Sequence, residues 1–312
     1  MKFTLIKLAA ACAALLWAFA VTADDAPRIG YVRPLVGTDG FGNVYPGAQV
    51  PFGGIQISPD TDDDYYDAAS GYKYAHKTLM GFSLNHLSGT GIPDLGDFLF
   101  MPGVGEIKLE PGTHDDPDAG YRSRYSHDEE WCSPAYYGVN LTDYGVKAEM
   151  TAAQRSGILR FTFPESDESG VVIDAFDRGS QVKVMPDSRT VVGYTTRNSG
   201  GVPDNFRNWF VIRFDKPFSG FRVFNGKNEL KGFEAEGEHA LAAVYFTTRR
   251  GEQVTARVAS SFISEEQALR NLETEVGDHP RGQCVGGPGH EQRTAAGEAG
   301  TKGSVDLMTE HG

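Results

Sequence analysis

Cysteine is scarce in this 312-residue chain, with three residues at Cys12, Cys132 and Cys284. So few exclude a disulfide-stapled scaffold. A Cys132–Cys284 bond is not expected either, because Cys284 falls in a segment with no packing pattern. Basic residues are also in deficit, 29 against 42 acidic. That balance argues against nucleic acid and anionic lipid as partners and suits a neutral ligand such as sugar, or a divalent cation. After residue 21 no stretch is apolar enough to span a membrane. There is no βαβ rhythm, and helical periodicity is missing before residue 264. "GTDGFG" (Gly37 to Gly42) has the wrong spacing for a dinucleotide loop, and Ser88 lies in no G-x-S-x-G elbow.

What is present starts with an export signal. Lys2 and Lys7 precede an apolar run, Leu8 to Val21, and Val21-Thr22-Ala23 makes a small-residue cleavage site. Residues 1–23 therefore read as a signal peptide, with a secreted or periplasmic product. Without them, 27 basic residues face 42 acidic ones.

Residues 24–263 carry a β pattern. "ILRFTF" (Ile158 to Phe163) puts Leu159, Phe161 and Phe163 on one face and Arg160 and Thr162 on the other. "WFVIRF" (Trp209 to Phe214) reads as a strand buried on both faces. "VVIDAF", "AAVYFTT" and "QVTARVASSF" (from Val171, Ala242 and Gln253) are further strands. Asn225-Gly226 and Arg250-Gly251 signal hairpins, and "ESDESG" (Glu165 to Gly170) reads as a polar turn. The expected fold class is all-β, a large antiparallel, supersandwich-like β-sandwich followed by one linker helix. That helix occupies 264–276: Ser264 and Gln267 fit a capping box, and Leu269, Leu272 and Val276 recur at helical spacing. Residues 277–312 have nine glycines and no aromatic residue. They read as a disordered tail or a non-native, frame-shifted end.

Candidate chemistry concentrates in "GFSLNHLSGTGIPDLGDFLFMPG" (Gly81 to Gly103). His86 suits general acid–base work or a structural hydrogen bond equally. Ser88 and Thr90 read as turn hydroxyls, and Asp94 and Asp97 as paired carboxylates or strand-end caps. Upstream, Asp60, Asp62, Asp63 and Asp64 lack EF-hand spacing and read as a solvated acidic loop. Tyr65, Tyr66, Tyr72 and Tyr74 nearby offer flat faces and hydroxyls suited to sugar rings.

Several motifs in one order then carry a family resemblance. "LVGTDGFGNVYPGAQVPFGGIQISPDT" (Leu35 to Thr61), "SGYKYAHKTLMGFSLNHLSGTG" (Ser70 to Gly91) and "LGDFLFMPG" (Leu95 to Gly103) resemble glycoside hydrolase family 92, the exo-acting α-mannosidases. The likeness runs from about Ile29 to Val276. It implies an N-terminal sandwich, a helical linker and an α/α-toroid, with calcium-dependent, inverting hydrolysis. The acid, base and calcium ligands would come from the toroid, which this sequence is expected to lack. No catalytic residue and no bound metal are therefore expected here. The sandwich would supply rim residues for a mannose-containing glycan: Tyr66, Asp67, Tyr72, His86, Ser88, Thr90 and Asp94. The motifs depart from the family pattern at Leu84-Asn85, at Ile92-Pro93 and at Tyr66, where Trp is more familiar.

The resulting expectation is the N-terminal domain of an exported α-mannosidase acting on N-glycans or mannan, cut before its toroid and inactive alone. A stand-alone carbohydrate-binding module is the alternative. A third possibility is a purely supporting domain, made sticky by an exposed apolar face on the 264–276 helix.

Overall fold

The computed structural model describes residues 31–62, 68–89, 98–198 and 200–277. By contacts the chain divides after Val32, and the unit beginning at Arg33 is the one set out below. In chain order its first strands are β1 (Ser58–Asp60), β2 (Thr78–Leu79), β3 (Gly81–Ser83) and β4 (Leu99–Val104). A second group comprises β5 (Ser123–Arg124), β6 (Glu130–Ser133), β7 (Tyr136–Leu141), β8 (Val146–Ala152) and β9 (Ser156–Phe163). Then come β10 (Ser166–Asp174), β11 (Ser180–Met185), β12 (Thr190–Thr195) and β13 (Asn208–Phe214). The last are β14 (Gly220–Asn225), β15 (Asn228–Leu230), β16 (Glu234–Gly237), β17 (Ala240–Thr248) and β18 (Glu252–Ser261), followed by one helix, α1 (Glu265–Val276).

The strands form two large antiparallel sheets. One has seven strands in the order β1-β3-β4-β10-β17-β14-β15. The other has nine, β16-β11-β12-β13-β18-β9-β8-β7-β6, and β2 pairs with β5 in a small third sheet. Alternation drives their packing. Leu159, Phe161 and Phe163 of β9 point into the same core as Phe100 of β4, Ile173 of β10 and Val244 of β17. Phe214 of β13 meets Phe246 of β17 with ring centres 5.4 Å apart, joining the two sheets. The expected β-sandwich is therefore the observed fold.

The outer face of the nine-stranded sheet is also covered. Helix α1 begins at the cap read from the sequence, the Ser264 hydroxyl accepting from the Gln267 amide at 3.1 Å. The reciprocal half of the box is replaced, because Gln267 Nε2 donates onward to Asn271. Ala268, Leu272 and Val276 pack on Ile158, Val211 and Ala259. The helix thus makes β13 a strand buried on both faces, as its sequence suggests. It also corrects one expectation: the apolar stripe of α1 is not exposed, because this sheet is its docking surface. Asn271 Nδ2 donates to the Ser260 carbonyl, and Glu275 accepts from the Arg155 amide and the Ser156 hydroxyl.

Two turn expectations also change. Ser166 to Gly170 lie in β10 rather than in a turn, with a bulge between Ser166 and Ser169 that leaves Asp167 and Glu168 exposed. The polar run is the solvent-facing end of a strand. In the β14–β15 hairpin Asn225 pairs with Asn228, so the two loop residues are Gly226 and Lys227. Gly226 takes the first loop position with φ 57°, and Asn225 Oδ1 is used to accept from the His239 amide.

Candidate functional site

Asp60, at the end of β1, and His86, just past β3, meet in a buried pair. His86 Nε2 lies 2.8 Å from Asp60 Oδ1 and 3.2 Å from the Ser83 hydroxyl. Nδ1 lies 2.8 Å from the Gln56 carbonyl. The carbonyl can only accept, so Nδ1 carries a proton. The ring donates to Asp60 as well only when Nε2 is protonated too, and the Ser83 hydroxyl can donate to Nε2 when it is not. Gly71 leans on both groups. With φ +84°, an added Cβ there would sit 2.1 Å from Asp60 Oδ1 and 3.0 Å from His86 Cδ2. Only glycine permits that approach. Asp60 Oδ2, Ser58 Oγ and Ser70 Oγ are buried without a hydrogen-bond partner among the described residues.

The acidic loop is thus not wholly solvated. Asp60 is buried on His86, and Asp62 is half-buried against His114 at 2.7 Å. The expectation failed because the sequence shows a run of like charges, whereas their partners come from elsewhere in the chain. Asp63 and Asp64 lie outside the described residues.

The expected rim residues separate. Ser88 is exposed and its hydroxyl reaches Tyr45, whose phenol is raised by burial despite that bond. Tyr45 in turn packs 5.3 Å from the His86 ring. Gly89, with φ +102°, closes the turn by donating to the Asn43 carbonyl. Tyr72 departs from the picture of a sugar-facing ring. It is 2% exposed, and its hydroxyl donates to Glu130 at 2.9 Å. Tyr66, Asp67, Thr90 and Asp94 lie outside the described residues, as do Tyr65 and Asp97.

Glu130, at the start of β6, is a hub that sequence reasoning missed. Its carboxylate accepts from Tyr72 and, at 2.6 Å, from Tyr137, and it meets His127 Nδ1 at 2.7 Å. Burial first, and then the Glu130 charge, push the Tyr137 phenol far above its ordinary value. The same two causes hold the neighbouring free thiol of Cys132 up at about 11. The other face of His127 stacks on Tyr74, 3.8 Å between ring centres, so that tyrosine is half covered.

A groove of about 770 Å³ opens along β12 and the loop that follows it. Arg178, Tyr194, Asn198, Phe206, Arg207 and Glu236 are among its walls. Tyr194 donates to Glu236 at 2.8 Å, and the Arg207 guanidinium lies 4.9 Å over the Tyr194 ring. Next, at the start of β13, Asn208 donates to Asn85 beside His86, so the groove wall is tied to the segment that follows β3. An aromatic ring flanked by a guanidinium and a carboxylate suits a neutral polyhydroxyl ligand. The sequence signal was the mix of arginine, aromatic residues and Gly200-Gly201 in "TTRNSGGVPDNFRNW".

Asp62, His76 and His114 offer one potential ligand atom each, all within 4.8 Å of one another. Calcium does not fit them, because it takes six to eight oxygens and two of these three residues are imidazoles.

Residues 31–261 match the glycosyl hydrolase family 92 N-terminal domain. The chain belongs to that family. It is 52% identical to a family 92 α-mannosidase of Bacteroides thetaiotaomicron, with 79% of this chain and 35% of the other covered and a TM-score of 0.74. That enzyme has also been solved in complex with mannoimidazole. A family 92 inverting mannosidase of the same organism is 34% identical, with 83% and 34% covered and a TM-score of 0.74. A relative from Arthroderma benhamiae, described as an uncharacterized secreted glycosidase, is 25% identical over 274 residues, which are 79% of this chain and 34% of that one. The chain spans about a third of the length of these relatives. Among the described residues no helix is long and apolar enough to cross a membrane.

Proposed function

We propose that this chain is the sandwich half of an exported, calcium-dependent, inverting exo-α-mannosidase acting on N-glycans or mannan. The observation that carries the reading is the family match over residues 31–261, in a chain a third as long as its mannosidase relatives. The signal-like residues 1–23 support export. The acid, base and calcium ligands belong to a toroid domain in this reading. The sandwich lends rim loops built on the Asp60–His86 and Glu130 clusters. Exposed Phe41 and Phe52 on the N-terminal loops are apolar surface of the kind a partner domain covers.

The sandwich domain by itself is expected not to turn over substrate. Purified protein incubated with α-mannosides and calcium is expected to release no mannose above background. Hydrolysis at rates of about 1 s⁻¹ or faster, ordinary for an enzyme, would refute the requirement for a toroid.

The groove beside Tyr194 and Arg207 favours a second reading, a stand-alone carbohydrate-binding module. Half a pocket binds mannose at about 1 mM or more weakly, near −4 kcal/mol. Calorimetry with manno-oligosaccharides separates the two readings, since micromolar affinity lost in Tyr194→Ala would select the module.

A further inference from the structure

We propose that Asp62, His76 and His114 form a zinc site that pins three loops of the sandwich together. The three residues are brought in from different places. Asp62 follows β1, His76 precedes β2, and His114 lies between β4 and β5. A tetrahedral Zn²⁺ with bonds of about 2.1 Å holds its ligands roughly 3.4 Å apart, which the 4.8 Å spread of these atoms accommodates. Two imidazoles and a carboxylate suit a borderline first-row ion and not a hard one.

The surroundings orient the rings as outer-shell partners do in zinc sites. His76 Nδ1 is 3.0 Å from the Thr61 hydroxyl, itself fixed by accepting from the Lys73 amide at 2.9 Å. His114 Nδ1 is 2.9 Å from the Thr78 hydroxyl. Each ring thus spends Nδ1 on a threonine, so Nε2 is the nitrogen that serves as ligand. For His114 the geometry is direct, with Nε2 2.7 Å from Asp62 Oδ2.

Arg122 borders the cluster. Its buried Nη1 donates to the Thr61 carbonyl at 3.0 Å and the Thr78 hydroxyl at 2.8 Å, and it lies 3.1 Å from His114 Nδ1 and 3.5 Å from His114 Nε2, so a zinc ion here would share the site with one neighbouring cation. A zinc ion there would take the place of the proton that His114 Nε2 shares with Asp62, and that proton would be released. The side chains of Asp62 and His114 are 26% and 29% exposed, which leaves an entry path.

The test is calorimetric titration of the full chain with Zn²⁺, alone and as Asp62→Asn, His76→Asn and His114→Asn. One ion is expected at micromolar affinity or better. Each variant should weaken it by about a hundredfold or more, beyond the roughly 10- to 100-fold typical of a lost outer-shell partner. Calcium should give no signal at this site. All variants keep Cys132, Cys284, His279, His290 and His311, so binding that survives in them overturns the proposal. Absence of binding to the unsubstituted chain overturns it too. His114→Asn also loses the Thr78 contact and could loosen the fold, so Asp62→Asn decides if that variant is unstable. Substituting Co²⁺ gives a second readout: nitrogen–oxygen ligation is expected, and a thiolate charge-transfer band would place the ion on a cysteine and refute the site.

Discussion

A carboxylate that is 1% exposed must find its partners within the fold, and Glu149 shows how tightly that constrains neighbouring residues. On the outer face of the nine-stranded sheet it meets Arg160 at 2.9 Å, accepts from Tyr136 at 2.9 Å, and lies 3.2 Å from Lys147 Nζ. Arg160→Met leaves that charge buried without its guanidinium. The expected loss is about 3 kcal/mol or more, read by urea unfolding at neutral pH. The double replacement Glu149→Leu with Arg160→Met should recover most of it, since the penalty is a buried charge left with only Tyr136 and Lys147, not the missing pair itself. A second buried carboxylate, Asp174, controls a pH response. Burial would lower the His239 pKa, but the 2.6 Å hydrogen bond to Asp174 and the Asp174 charge outweigh it, and the net direction is upward. A histidine raised above its unfolded value of about 6.5 stabilises the fold fully below that pH. The contribution is lost as pH climbs through the higher folded value. The stability gap between the native chain and His239→Gln should therefore be widest in mild acid and close in mild alkali. A gap that widens with rising pH would contradict the assignment.

For elements, legibility followed distance along the chain. The α1 cap could be read because Ser264 and Gln267 are three residues apart and their bond is local. The strands β9, β13, β17 and β18 could be read because alternation is a property of one segment. The β10 bulge was misread as a turn, since a polar strand end and a polar loop have the same composition. Only pairing with Thr248 and Phe246 distinguishes them. Helix α1 needs its sheet more than its cap. Ser264→Ala is expected to cost about 1 kcal/mol. Leu272→Ala, which opens a cavity between α1 and β13, is expected to cost about 3 kcal/mol. Chemical denaturation of the two variants side by side tests the order, and a larger effect at the cap would show that the helix is held by its own end.

In the whole molecule, the core is continuous from one sheet to the other, through Phe161, Phe214, Phe246 and Val244. Neither sheet can release its inner face without exposing that of its partner. Unfolding is therefore expected as a single transition despite the size of the domain, with tryptophan fluorescence and far-ultraviolet dichroism coinciding in urea. Separated midpoints would mean that one sheet opens first. Both Trp131 and Trp209 lie in the nine-stranded sheet, so the comparison is sensitive to that order.

The sequence alone determined the all-β class, the helix that follows the strands, the acidic balance and the ordered motifs of family 92. These depend on composition, local periodicity and linear order, which survive without coordinates. Tertiary structure alone decided which polar groups meet. Asp60 and His86 are 26 residues apart, Glu130 gathers tyrosines from 58 residues upstream and seven downstream, and Asp62, His76 and His114 converge from three loops. A hydrogen bond acts over about 3 Å and is indifferent to the length of chain between its ends. Sheet register sets that proximity, and register is fixed by the packing of the whole core.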